Sequence, residues 1–241
     1  TRMLQLVPKE RQTLLFSATM PSEIFALATH HMRAPVRIEI ARAGTPAERV
    51  AQEFFIVSRD QKVPLLEKLL FDYSGSVLIF CRMKFGAKRV CATLAHMGHA
   101  VAEIHSNRSL GQRREALDGF KSGKYRVLVA TDIAARGIDV TGISLVVNFD
   151  LPQQAEDYVH RIGRTGRAGM EGKAISFAMP NERGKMRDIE RLIRVAIRIA
   201  QLPANLPASK IAEVIPDRPM RPQRRPFRGN NHYGQKNIQS R

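Results

Sequence analysis

Three runs, "SVLIFC" at 76–81, "RVLVAT" at 126–131 and "SLVVNF" at 144–149, are apolar at almost every position, with no alternation of polar and apolar residues. A strand with one wet face alternates, so runs of this kind belong to strands covered on both faces. Longer segments of helical period separate them, and that order of elements builds a parallel sheet with helices on either side. The chain is therefore expected to fold as an α/β protein with a doubly wound parallel sheet.

Further strands are expected at 13–18, 36–40, 51–57, 100–105 and 173–179, and helices at 21–33, 60–72, 84–97, 109–121, 154–164 and 181–195. "ARAGTPAER", Ala41 to Arg49, mixes Gly, Pro and charge without an apolar period and reads as a linker. What precedes it, 1–40, is too short to be a domain, and 50–202 carries the main body. From 203 to 241 the composition shifts to Pro and Arg with Phe227 and Tyr233 as the only aromatics, too little apolar surface to offset chain entropy. A disordered basic tail is expected, able to grip a nucleic-acid backbone through Arg and stack bases on its aromatics.

The 241 residues carry 39 Lys and Arg against 22 Asp and Glu, a formal charge of +17 that points to a polyanionic partner. No long apolar run or lipidation signal favours a membrane, so nucleic acid is the expected partner. Cys81 and Cys91 stand in a strand and a helix with no metal-ligand spacing, and both read as core residues in a reducing, cytoplasmic protein. His30, His31, His96 and His99 show no convergent ligand spacing, so no metal site is expected. "TRMLQLVPKERQ" has no secretory pattern and begins on Thr1, and the chain reads as the later part of a longer protein.

In a doubly wound sheet, ligands lie beyond the carboxyl ends of the strands. Three strand ends carry more polar groups than a turn requires. "VLVATDIAARGIDV", Val127 to Val140, offers Thr131, Asp132, Arg136, Gly137 and Asp139, suited to phosphate and ribose contacts. "HRIGRTGRAG", His160 to Gly169, spaces Arg161, Arg164 and Arg167 three residues apart with glycines between them; the guanidinium fork suits phosphate, and glycine lets the backbone approach. "FSATMP", Phe16 to Pro21, places Ser17 and Thr19 before a helix, which by itself reads as capping.

In this order and spacing, "SAT", "ATDIAARGIDV" and "HRIGRTGRAG" closely resemble the C-terminal half of a DEAD-box ATP-dependent RNA helicase of the bacterial RhlE-like group, over about residues 12–195. The resemblance implies the end of a first RecA-like lobe in 1–40, an inter-lobe linker in 41–49 and a complete second RecA-like lobe in 50–202. ATP and Mg2+ would be bound mainly by the first lobe, and no G-x-x-x-x-G-K-[ST] or D-E-A-D occurs in this chain. Single-stranded or short duplex RNA is the implied nucleic acid, and this chain alone is expected not to hydrolyse ATP.

The resemblance also assigns roles. Arg164 and Arg167 match arginine fingers directed at the γ-phosphate, Asp139 the residue on the ribose, and His160 and Arg161 the residues joining this motif to the first lobe. Thr131, Arg136, Gly137 and Arg113 match RNA-backbone contacts, and Ser17 and Thr19 the segment coupling hydrolysis to strand separation. Leu110 stands where the family often has Gln, and Met83 where it often has Thr, so two polar groups are lost from the RNA-facing side. Two other functions remain open at this point: an RNA-binding module without enzymatic activity, and a DNA helicase of the same superfamily.

Overall fold

The computed structural model describes residues 6–8, 10–17, 20, 22–38, 50–135, 140, 142–166, 171–204 and 206. Thr19, Arg136, Gly137, Asp139, Arg167, the 41–49 linker and nearly all of the 203–241 tail lie outside the described residues.

Seven strands form one sheet: β1 (Val50–Ile56), β2 (Val77–Phe80), β3 (Val101–Ile104), β4 (Val127–Ala130), β5 (Leu145–Asn148), β6 (Gly172–Ala178) and β7 (Arg198–Ala200). Their spatial order is β3-β4-β2-β5-β6-β1-β7, and every pairing is parallel. The helices are α1 (Ser22–His31), α2 (Lys62–Asp72), α3 (Lys84–His96), α4 (Leu110–Lys121), the short α5 (Asp132–Ala135), α6 (Ala155–Ile162) and α7 (Arg183–Ile193).

The unalternated runs behave as expected. Val77, Ile79, Val127, Val129, Leu145 and Val147 point to one face, against Leu65, Leu66, Leu69 and Leu70 of α2 and Ala87, Val90 and Leu94 of α3. Their neighbours Leu78, Phe80, Leu128, Ala130 and Val146 point to the other, against α4, α6 and α7 through Phe120, Tyr158, Ile162, Met186 and Ile189. Burying both faces removes the reason for a polar residue at alternate positions. The helix boundaries have local causes as well. Ser109 caps α4 in a reciprocal box with Gln112, and Arg194 ends α7 in the left-handed region at φ 58°.

Two expected strands are corrected. Residues 13–17 and 36–38 form no strand, although Leu14, Phe16, Val36 and Ile38 are apolar and mostly exposed. A strand exists only through a ladder with a neighbour, and no described segment pairs with either. Conversely β7, three residues long, pairs with β1 through Glu53–Arg198, Phe54–Ile199 and Phe55–Ala200, and its sequence gave no strand signal.

From β2 the chain goes to β3 and β4 on one side, then crosses to β5 on the other. The carboxyl ends of β4, β2 and β5 therefore flank a topological switch point, the place where open α/β sheets bind their ligands.

Candidate functional site

The strand ends at that switch point carry a connected polar cluster. Arg161, on the last turn of α6, is 1 % exposed, which is exceptional for a guanidinium. It donates two parallel hydrogen bonds to the Asp132 carboxylate, Nε to Oδ1 at 2.6 Å and Nη2 to Oδ2 at 2.8 Å. Its Nη1 donates to Asn148 Oδ1 at 3.1 Å and to the Asp150 carbonyl at 2.7 Å. The guanidinium also lies 5.1 Å from the centre of the Phe80 ring. A buried cation is tolerated only when its donors are used up, and here they reach the ends of β4 and β5. Arg161 is thus held in the interior by Asp132, Asn148 and Asp150.

The cluster continues in both directions. Asn148 Nδ2 donates to Ser176 Oγ at 2.9 Å, and both residues are fully buried side by side on β5 and β6. Asp150 accepts from Lys62 Nζ at 2.8 Å and from the Arg82 backbone N–H at 3.2 Å. Lys62, buried at the start of α2, also donates to the Phe149 carbonyl at 2.7 Å. Arg82 Nη2 reaches Glu182 Oε1 at 2.8 Å, and Glu182 accepts further from Lys185 and the Met179 N–H. Burial alone would raise the Glu182 pKa, but these three donors hold it below the ordinary carboxylate value. Of this second half, Arg82 and Asp150 follow strands directly and were accessible to the strand-end rule. Lys62 and Glu182 lie inside helical segments and carried no signal.

The predicted residues distribute around this cluster. Thr131 is half-buried at the end of β4, its N–H bonded to the Ile104 carbonyl at 3.2 Å. Asp132 begins α5. His160 precedes Arg161 on α6, and its Nε2 is buried without a hydrogen-bond partner among the described residues. Arg164 follows in a turn continuous with α6, its N–H bonded to the Arg161 carbonyl at 3.1 Å, and it is half-buried. Arg113 is half-buried in the first turn of α4, which follows β3, the neighbour of β4. Met83 and Leu110 are exposed at the starts of α3 and α4. Thr131, Asp132 and the guanidinium of Arg161 therefore meet beyond the carboxyl ends of β4 and β5, Arg113 begins the helix after β3, Arg164 lies in the turn after α6, and Ser17 is on a separate stretch that is not part of the sheet.

These strand ends offer cations and backbone donors. Among the described residues no group of three His, Cys, Asp or Glu side chains could hold a metal ion. Burial raises the Cys81 thiol far above its ordinary pKa, and burial with the nearby Glu103 carboxylate pushes Cys91 up to about 11. Both shifts favour the protonated thiol at neutral pH, as for cysteines packed in a core. No helix among the described residues is long and apolar enough to cross a membrane.

Residues 61–169 match the helicase conserved C-terminal domain. The chain is 41% identical over 203 residues to the ATP-dependent RNA helicase DbpA of Bacillus subtilis, covering 84% of this chain and 42% of that protein. It is similar to the E. coli DEAD-box protein SrmB, solved with the regulator of ribonuclease activity A, at 31% identity and a TM-score of 0.60, covering 64% of this chain and 92% of that one. It is also similar to S. cerevisiae Dbp5 bound to RNA and ADP BeF3, at 31% identity and a TM-score of 0.75, covering 84% of this chain and 54% of that one. The chain spans about two-fifths of the length of the curated relatives it matches.

Proposed function

Since this chain belongs to the DEAD-box RNA helicase family, we propose that it supplies the second RecA-like lobe of an ATP-dependent RNA helicase that couples ATP hydrolysis to local unwinding of short RNA duplexes. Residues 50–202 are the lobe, 41–49 the linker, 1–40 the end of the first lobe, and 203–241 a basic tail that contacts RNA. Membership of the RhlE-like group is part of the proposal and rests on the sequence resemblance.

The observation that carries the reading is the junction of Arg161 with Asp132. It fastens the helix that opens "HRIGRTGR" to the strand end bearing "ATD", so that the two motifs are joined directly. Thr131, Arg113, Arg136 and Gly137 contact RNA phosphates, which provides grip without base selection. Arg164 and Arg167 act on the γ-phosphate of ATP, and Asp139 accepts from its ribose. Fixed guanidiniums in a closed cleft stabilise the charge that develops during phosphoryl transfer. His160, with its buried Nε2 unpaired, is the group that gains a partner when the two lobes close. Ser17 and Thr19 couple that closure to strand separation. The nucleotide's magnesium would be held by the first lobe.

The test compares ATP hydrolysis, with and without single-stranded RNA, by the 241-residue chain and by the same chain preceded by the residues encoded ahead of Thr1. RNA-stimulated turnover only in the longer protein supports the proposal. Turnover by the 241-residue chain alone, or none by either, contradicts it. Competition between RNA and DNA of equal sequence separates an RNA from a DNA helicase through the 2′-hydroxyl.

A further inference from the structure

The turn that bears Arg164 is fastened at a point distinct from the Arg161–Asp132 junction. Thr165 is 1 % exposed, and its hydroxyl donates to the Ile143 carbonyl. The two residues also pair as an isolated parallel bridge, so backbone and side chain fix the same spot. Ile143 is itself 2 % exposed, in the segment that leads into β5. Gly166 follows in the left-handed region at φ 67°, where a side chain would be strained.

Six residues on from Gly166, the chain comes back to this spot. A Cβ placed on Gly172, the first residue of β6, would overlap the Gly166 nitrogen and the Thr165 hydroxyl oxygen, and would lie 2.9 Å from the Gly166 Cα. Two of these three atoms are backbone, so no rotamer change relieves the overlap. Thr165, Gly166 and Gly172 therefore meet at one closely packed point beside Ile143.

We infer that Thr165 and Gly172 are positioning residues: they fix the turn that bears Arg164 and tie it, through Ile143, to the chain leading into β5. Neither touches a nucleotide. They act by fixing the backbone beside an arginine that must meet a phosphate within a fraction of an ångström, and misplacement on the order of 1 Å costs about 10²-fold in rate. The catalytic consequence rests on the function proposed above; the anchoring does not.

Two readouts separate these. Amide hydrogen exchange of the 241-residue chain needs no activity and is measured for wild type, Thr165→Val, Thr165→Ser and Gly172→Ala. Thr165→Val keeps the shape of the side chain but leaves the Ile143 carbonyl without its hydroxyl. Thr165→Val and Gly172→Ala are expected to raise exchange at 164–166 and 171–173 by about tenfold or more, with β2 and β4 unchanged and Thr165→Ser at the wild-type rate. Wild-type exchange in both Val and Ala variants, or loss of protection in Thr165→Ser equal to that in Thr165→Val, overturns the anchor. In the longer protein the same two variants are expected to lose RNA-stimulated kcat on the order of 10- to 100-fold with half-saturating RNA within about twofold of wild type. Unchanged kcat in variants whose exchange has risen overturns the positioning role. A wild-type longer protein without ATP hydrolysis instead overturns the proposed function, and the exchange result still decides the anchor.

Discussion

Arg161 and Asp132 face each other with two parallel hydrogen bonds of 2.6 and 2.8 Å, the arginine side chain 2 % exposed and the aspartate 24 %. The unequal burial makes the pair unequal toward mutation. Asp132→Ala leaves a guanidinium in the interior without its counter-charge and is expected to cost about 3–5 kcal/mol. Arg161→Met leaves a carboxylate that can reach water and fills the space with an apolar chain, for about 1–3 kcal/mol, mostly from the acceptors at Asn148 and Asp150 that lose a donor. Urea denaturation of both variants checks the order; an Arg161→Met protein less stable than Asp132→Ala contradicts the assignment of the pair.

Asn148 and Ser176 occupy paired positions on neighbouring strands, with no exposure and a 2.9 Å hydrogen bond. Among the described residues this hydroxyl is the acceptor of Asn148 Nδ2. Ser176→Ala removes one oxygen and little volume, so the expected cost of about 1–3 kcal/mol comes from the stranded amide rather than from a cavity. Thermal unfolding compared with Ser144→Ala, at an exposed serine, provides the reference.

Glu182 predicts a pH dependence. Its carboxyl is held below the ordinary value of 4.5 by Lys185, the Met179 N–H and Arg82, against the opposing effect of burial. A carboxylate with a depressed folded pKa contributes stability that is complete above its unfolded value and is lost as the pH falls through the folded one. The stability advantage of wild type over Glu182→Gln should therefore be constant from about pH 7 to about pH 5 and shrink below the ordinary value of 4.5. Thermal melts across that range check it, and an advantage undiminished at about pH 3 goes against the account.

Binding through phosphates makes a further prediction for RNA. Affinity should fall steeply with salt and vary little with sequence, and Arg113→Ala should weaken binding alike for all sequences while reducing the slope of log K against log[salt] by about one. Filter binding at several salt concentrations measures both. Deleting the residues from Pro216 onward should flatten the slope further; an unchanged slope would show that the tail takes no part.

How much of this was legible in the sequence depends on burial. The runs around Leu78, Leu128 and Val146 announced their strands because both faces are covered, and composition alone reports that. β7 was missed because three residues, of which Arg198 and Ile199 are exposed, bury too little to leave a pattern. The 13–18 run was misread for the complementary reason: Leu14 and Phe16 have strand composition, but a strand also needs a partner, which composition does not report. In the site, Arg161 was legible as one of three evenly spaced guanidiniums, but its burial against Asp132 was not. Its partners Asp132, Asn148 and Asp150 follow from the register of three strands, which only the folded sheet reveals. Lys62 and Glu182 join the same cluster from helical segments whose charges look, in one dimension, like a solvated face.

The account stands or falls on whether the turn after α6 acts on ATP. In the protein extended upstream of Thr1, Arg164→Ala and Arg167→Ala should each reduce RNA-stimulated kcat by on the order of 10³-fold while RNA binding in the absence of nucleotide stays within about twofold of wild type. Full turnover in both variants, or a loss of RNA binding with turnover per bound complex intact, would contradict it.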